Sequence, residues 1–152
     1  MVEVVLQNET SYFSDESRLR GLVARTVAAE EARLGVVYVS FVDDLRMADY
    51  NESHRGKEGP TDVLSFPFKE DFPQGRGGEV IIAPELAGRN VLGTETSQDN
   101  EIAHLVVHGV LHLIGYDDVT EAGLAEMEDK TQAILEAEQD EDDDEQEDDD
   151  GP

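Results

Sequence analysis

Hydrophobic positions along the chain follow two periods, and their order predicts the secondary structure. Runs of apolar and β-branched residues are typical of strands, whereas apolar residues spaced three and four apart are typical of helices that face a core. We predict four strands, at about residues 2–6, 36–42, 61–68 and 79–83. We predict five helices, at about residues 15–34, 44–52, 84–92, 97–114 and 120–138.

Capping and breaking residues mark several of these ends. Ser14 or Asp15 can cap the first helix, and Gly35 is expected to stop it. Pro67 places the third strand at an edge of the sheet, because proline cannot donate a backbone hydrogen bond. Pro84 suits the first position of a helix. Residues 69–78 are expected to form a turn.

The element order β-α-β-α-β-β-α-α-α predicts an α+β fold, with helices packed on a small mixed sheet of four strands. The fourth helix should be the central, buried one, because apart from its histidines it has almost no polar face. Its apolar residues are Ile102, Leu105, Val106, Val107, Val110, Leu111 and Leu113.

The acidic composition is concentrated at the C-terminus. The formal net charge is −26, and residues 140–150 hold ten acids and one glutamine. Since such a segment cannot bury apolar surface, we predict a domain at residues 1–138 and a disordered acidic tail at residues 139–152. The tail is expected to solubilise the protein; the alternative is that it mimics RNA and competes for a basic surface.

The remaining composition limits the compartment and the ligands. The chain has no cysteine, so a metal would be held by nitrogen and oxygen atoms. No apolar run approaches the roughly 18–20 residues that span a bilayer, and the N-terminus lacks the features of a signal peptide. The expectation is a soluble cytoplasmic protein.

Three histidines lie four residues apart in the fourth helix, which Thr96 or Ser97 can cap. His104, His108 and His112 therefore share one helical face, and Gly115 then breaks the helix. Two imidazoles one turn apart, with a third ligand returned by a glycine turn, indicate a divalent metal site.

The spacing from His108 through His112 and Gly115 to Asp118 is shared with the zinc helix of metzincin proteases. Those proteases carry a general-base glutamate directly after the first ligand. Gly109 stands there in this chain and cannot accept a proton, so a metallopeptidase is the weaker hypothesis.

Three segments together resemble the YbeY family of bacterial endoribonucleases and rRNA maturation factors. The first is HGVLHLIGYDD at residues 108–118, similar to the family signature HGxLHLxGYDH. The second is RGKEGPTDVLSFPF at residues 55–68, and the third is GGEVIIAPE, which ends at Glu85, with Glu79 where the family usually has Asp. The segments occur in the family's order, and the likeness covers roughly residues 2–136.

The resemblance implies that His108, His112 and Asp118 hold one metal ion. The family has histidine where Asp118 stands, and Asp117 is an alternative ligand. Zinc is the expected ion; the carboxylate keeps manganese, nickel and magnesium open. His104 is expected to support the site by hydrogen bonding rather than to ligate.

The implied reaction is hydrolysis of single-stranded RNA by a metal-activated water, in maturation of the 3′ end of 16S rRNA and in ribosome quality control. Arg55 and His108 would be catalytic, Arg55 by stabilising phosphate charge and His108 through the metal, and Lys57 would add a phosphate contact. The general base stays open. Partners would be precursor rRNA and the ribosome or its small subunit.

RNA binding by so acidic a chain requires a local basic patch. Its expected members are Arg55, Lys57, Lys69, Arg76 and the metal ion. Three phenylalanines in the same region are expected to pack in the core or to stack on bases: Phe66, Phe68 and Phe72. A further alternative to the enzyme is a non-catalytic ribosome-assembly factor whose metal is structural.

Overall fold

A single mixed sheet organises the protein. The computed structural model describes residues 1–55, 62–69 and 76–149, and the side chains of all of these except 54, 55 and 142–149. The strands of this described part are β1 (Glu3–Asn8), β2 (Leu34–Phe41), β3 (Val63–Pro67) and β4 (Arg76–Ile82).

The sheet has the strand order β1-β2-β4-β3. The β1–β2 and β2–β4 pairs are parallel, and β3 runs antiparallel to β4. Strand β3 therefore forms one edge, where Pro67 is tolerated because its missing N–H is not needed by a second neighbour. The predicted edge position and the predicted mixed sheet are both confirmed.

The helices cover the sheet, and the central one carries the histidines. They are α1 (Glu16–Ala29), α2 (Asp44–Arg55), α3 (Pro84–Asn90), α4 (Gln98–Ile114) and α5 (Glu121–Asp149). Helix α4 packs against the sheet, chiefly β3 and β4, and against α1 and α5. The α+β fold with a buried central helix is confirmed. In the described residues, no helix is long and apolar enough to cross a membrane.

Helix α1 ends five residues before the predicted position. Glu31 adopts the left-handed conformation with φ of +49°, and the Ala32 N–H then donates to the Val27 carbonyl at 3.0 Å. This is the hydrogen-bond pattern of a glycine-type helix end, made here by a glutamate. Gly35, predicted to stop the helix, lies instead inside β2.

Strand β4 begins at Arg76, three residues before the predicted start, and takes in two glycines assigned to a turn. A Cβ on Gly78 would lie 2.5 Å from Leu113 Cδ2, and one on Gly77 would lie 2.5 Å from Val36 Cγ1. These glycines are therefore required by close packing of the strand against its neighbours rather than by a turn.

Helix α5 continues to Asp149, beyond the boundary predicted at residue 138. Two of its acids pair with arginines of α1: Glu138 with Arg18 at 3.0 Å, and Glu141 with Arg25. These partners and the good helix propensity of glutamate explain why the helical path extends into a segment predicted to be irregular. The division into a domain at 1–138 and a tail at 139–152 stays a prediction.

Candidate metal centre

The two ends of α4 follow from single capping residues. The Ser97 side chain accepts a hydrogen bond from the Asn100 N–H at 3.1 Å, as predicted. At the other end Gly115 has φ of +126°, a conformation that side chains rarely adopt, and its N–H donates to the His112 and Leu111 carbonyls. The chain then reverses and returns Asp118 to the histidine face.

The side chains of His108, His112 and Asp118 converge on one point. The Nε2 atoms of His108 and His112 lie 3.2 Å apart. Asp118 Oδ2 lies 3.6 Å from His108 Nε2 and 3.5 Å from His112 Nε2. Among the described residues this is the one group of three or more potential ligands that could hold a metal ion.

These separations fit a divalent ion of tetrahedral preference. Ligand bonds of about 2.0–2.2 Å to zinc imply ligand-to-ligand distances of about 3.3–3.5 Å. The three observed distances between these atoms, 3.2, 3.5 and 3.6 Å, bracket that range. Two imidazoles and one carboxylate also form a donor set that zinc and other first-row divalent ions accept.

His112 has its tautomer fixed by the turn that follows the helix. Its Nδ1 lies 3.0 Å from the backbone carbonyl oxygen of Tyr116. Since a carbonyl only accepts, Nδ1 carries the proton and donates, which leaves a lone pair on Nε2, the atom that faces His108 and Asp118.

His108 is the most buried of the three converging side chains, with 12% of its side chain exposed. Burial lowers the pKa of His108 from its ordinary value, and the neighbouring His112 and His104 lower it further. The imidazole is therefore neutral at pH 7, the form that can donate a lone pair to a metal. Within the described residues its buried Nδ1 has no hydrogen-bond partner.

Two other predicted residues stand outside the converging group. Asp117 Oδ1 accepts from the Val119 N–H at 2.9 Å, and this bond keeps its carboxylate in the turn. His104 stacks on His108 with ring centroids 6.2 Å apart, while its Nε2 donates to Glu128 at 3.3 Å. Position 118, rather than 117, is therefore the one that the fold brings to the histidines.

Gly109 faces away from the cleft, toward the sheet. A Cβ at this position would lie 2.5 Å from Val80 Cγ1 and 3.1 Å from Ser65 Oγ. The Ser65 hydroxyl donates to the Gly109 carbonyl at 3.0 Å, which ties β3 to the helix. A glutamate here would clash with the sheet, so the structure excludes a metzincin-type general base at this position for steric as well as chemical reasons.

A cleft of about 670 Å³ opens onto the three converging side chains, between α4, α5 and β3. Its lining is strongly acidic, with Asp62, Glu101 and Glu128 in addition to Asp118. Glu101 and Glu128 were not identified as cleft residues from the sequence. Glu101 lies one turn before His104 on the same helix, and this spacing could have indicated it. Glu128 reaches the cleft only through the packing of α5, which the sequence does not show. An acidic cleft around imidazoles favours a cation.

The predicted phosphate-binding residues lie at the limits of the described chain. Arg55 is the last residue of α2, and its side chain is outside the described residues, as are Lys57 and Phe72 altogether. Lys69 and Arg76 are both exposed, one just past β3 and the other at the first position of β4.

The two described phenylalanines have packing roles. Phe66 joins the core cluster of Met47 and Ile81, and it also lines the cleft. Phe68 packs edge-on against Tyr38, with ring centroids 5.7 Å apart.

Comparison with known proteins places the chain in one family. The sequence model described as Endoribonuclease YbeY matches residues 5–139. The protein named Endoribonuclease YbeY from Chelativorans sp. (strain BNC1) is 39% identical over 131 residues, covering 80% of each chain. Its namesake from Moorella thermoacetica is 34% identical over 149 residues, covering 88% of this chain and 96% of that one. The solution structure of TM1509 from Thermotoga maritima aligns with a TM-score of 0.58 at 26% identity, covering 88% of this chain and 87% of that one. The chain belongs to the endoribonuclease YbeY family.

Proposed function

We propose that this protein is a metal-dependent endoribonuclease that hydrolyses single-stranded RNA, acting in maturation of the 3′ end of 16S rRNA and in ribosome quality control. The observation that carries the proposal is the convergence of two imidazole nitrogens and one carboxylate oxygen within 3.6 Å of one another at the base of a cleft. Family membership supplies the substrate class. The protein would act in the cytoplasm, on precursor rRNA within or near the small ribosomal subunit.

The proposed ligands are His108, His112 and Asp118, and the proposed ion is zinc, one per chain. When bound, a divalent ion of this kind supplies Lewis acidity and lowers the pKa of a water toward about 7. The chain's own contribution is to orient the ligands, to keep His108 neutral by burial, and to direct the His112 lone pair through the Tyr116 carbonyl.

Arg55 is proposed to stabilise negative charge on the phosphate during hydrolysis, and Lys57 to add a second phosphate contact. These roles rest on the match of RGKEGP to the family segment, because both side chains lie outside the described residues. The acidic cleft gives the proposal a physical reason: a phosphate enters a space lined by Asp62, Glu101 and Glu128 only if cations offset the repulsion.

The number of protein ligands favours catalysis over a purely structural metal. Structural zinc sites are usually closed by four protein ligands, whereas catalytic sites keep one position open. The group in the described residues has three members and opens onto the cleft. The assembly-factor hypothesis, with a structural metal, requires a fourth ligand that this group does not contain.

The deciding experiment measures cleavage of an end-labelled single-stranded RNA and of the same sequence in a duplex. The purified protein is expected to cut the single strand, to lose activity with a chelator and to regain it with zinc. The His112→Ala variant is expected to lose cleavage while its thermal unfolding stays cooperative. Absence of cleavage with zinc, manganese, nickel and magnesium, together with retained ribosome binding, would favour the assembly factor. Hydrolysis of casein would favour a peptidase.

The basic patch is tested separately through the dependence of activity on salt. Charge reversal at Lys57, Lys69 and Arg76 should weaken RNA binding and flatten the slope of log affinity against log salt, because each phosphate contact contributes about one unit or less to that slope. Arg46→Glu on α2, where the guanidinium stacks on Tyr50 at 5.2 Å, is the matched control. An unchanged slope in the triple variant would refute the patch.

A further inference from the structure

Tyr116, the residue after the glycine turn, joins three helices through its side chain. Its hydroxyl donates to Glu30 Oε1 at the end of α1. Lys130 of α5 lies 3.4 Å from Glu30 Oε2 and 5.3 Å from the centre of the Tyr116 ring. The ring itself packs against a buried cluster between α1, α4 and α5: Leu22, Ala103, Val107, Leu111, Met127 and Ile134.

The main chain of the same residue reaches the metal ligands. The Tyr116 N–H donates to the Leu111 carbonyl at 3.1 Å, and the Tyr116 carbonyl accepts from His112 Nδ1 at 3.0 Å. One residue is therefore held by α4 through its N–H and by α1 and α5 through its side chain. The Tyr116 backbone is thus fixed by its N–H and by its side chain, and its carbonyl group points toward His112.

The charges in this network are balanced and partly shielded from solvent. The Glu30 side chain is 13% exposed and the Lys130 side chain 33%. Lys130 is also the single lysine or arginine in α5, a helix otherwise rich in acids. It lies beside Glu30, whose negative charge it offsets.

We propose that Tyr116 is a positioning residue of the metal centre: its side-chain contacts with Glu30 and Lys130 fix its carbonyl, and that carbonyl holds His112 in the tautomer whose Nε2 lone pair faces His108 and Asp118. The inference rests on the proposed metal role of His112 and extends it to residues of α1 and α5. Neighbouring groups that orient a ligating histidine typically change metal affinity by about 10- to 100-fold when they are removed.

The test compares two tyrosine-to-phenylalanine variants that lose similar hydrogen bonds. Tyr116→Phe keeps the ring and loses the bond to Glu30. Tyr12→Phe is the matched control, because the Tyr12 hydroxyl donates to Asp99 at 2.6 Å near the opposite end of α4. For each variant, zinc affinity is measured by competition with a chromophoric chelator, and the tautomer of His112 is read from ring-nitrogen NMR shifts in the metal-free protein.

The expected result is roughly tenfold weaker zinc binding in Tyr116→Phe, with a growing population of the His112 tautomer protonated at Nε2. Tyr12→Phe should bind zinc like the wild type. At position 30, Glu30→Gln, which keeps an acceptor, should retain more zinc affinity than Glu30→Ala. Both metal-free tyrosine variants should melt at similar temperatures.

Two results would overturn the inference: an unchanged His112 tautomer and zinc affinity in Tyr116→Phe, or an equal loss of zinc affinity in Tyr12→Phe, which would mark a general effect of stability. Failure of the wild type to bind any metal would refute the proposed function instead. The tautomer measurement on metal-free protein would still decide whether Tyr116 orients His112.

Discussion

The two faces of helix α4 show how one segment serves both packing and chemistry. The face toward the sheet approaches so closely at Gly109 that a Cβ would lie 2.5 Å from Val80 Cγ1. The face toward the cleft carries His104, His108 and His112, of which the last two meet Asp118. Because the tightly packed face leaves the helix little room to shift, we expect it to hold the two imidazoles in a fixed position relative to each other.

The largest effect is expected at the packed face. Gly109→Glu should lower the free energy of unfolding by more than about 3 kcal/mol, because the side chain must displace Val80 and bury a charge. Gly109→Ala should cost less, about 1–3 kcal/mol for overpacking, partly offset by about 1 kcal/mol of helix propensity. Chemical denaturation measures both.

Gly21→Ala in α1 is the matched control, because a Cβ there would meet nothing within 4 Å. This variant should be stabilised by about 0.5–1 kcal/mol. Equal effects of alanine at positions 21 and 109 would show that the close approach to the sheet is not a constraint.

The second prediction concerns two histidines on the cleft face that have the same spacing from His108. His112→Ala should weaken zinc binding by more than about 100-fold, or about 3 kcal/mol, because it removes a ligand. His104→Ala should weaken it by about tenfold or less, since His104 donates to Glu128 and lies outside the converging group. Chelator competition measures both, and equal losses would place His104 among the ligands.

These comparisons also show what the sequence could predict. Ser97 and Gly115 bound α4 as expected, because capping depends on local residue chemistry. The end of α1 at Ala29 could not be predicted, because it depends on the left-handed conformation of Glu31. The glycines of β4 could not be predicted either, because they are required by neighbours distant in sequence. The contact of Glu128 with His104 joins residues 24 apart and required the packing of α5.

The third prediction exchanges the Asp118 carboxylate for histidine, the ligand that the YbeY resemblance predicts at this position. Asp118→His should bind zinc about tenfold more tightly, because imidazole nitrogen suits zinc better than a single carboxylate oxygen, and should shift preference away from magnesium. Asp117→Asn is the control and should leave zinc affinity near the wild-type value, since Asp117 accepts from Val119. Zinc affinity is measured by competition with a chelator. Weaker zinc binding in Asp118→His would contradict the prediction and would mean that the turn positions only the shorter carboxylate side chain correctly.

The smallest effect is the pH dependence of stability in the metal-free protein. Because the pKa of His108 is lowered in the folded state, the unfolded state binds its proton first as pH falls below about 6.5. The free energy of unfolding should therefore decrease as the pH is lowered through this range, and His108 should contribute at most about 1.4 kcal/mol per pH unit to the decrease. His108→Gln should show a smaller change between pH 8 and pH 5, and an identical profile would contradict the burial argument.

His108, His112 and Asp118 are proposed to form one metal site, and the number of metal ions bound per chain is the decisive measurement. Elemental analysis of the purified protein after dialysis against zinc should give about one ion per chain. The His108→Ala/His112→Ala double variant should give none while it still unfolds cooperatively. An absence of metal in the wild type, or one ion per chain in both proteins, would show that these three residues do not form a metal site.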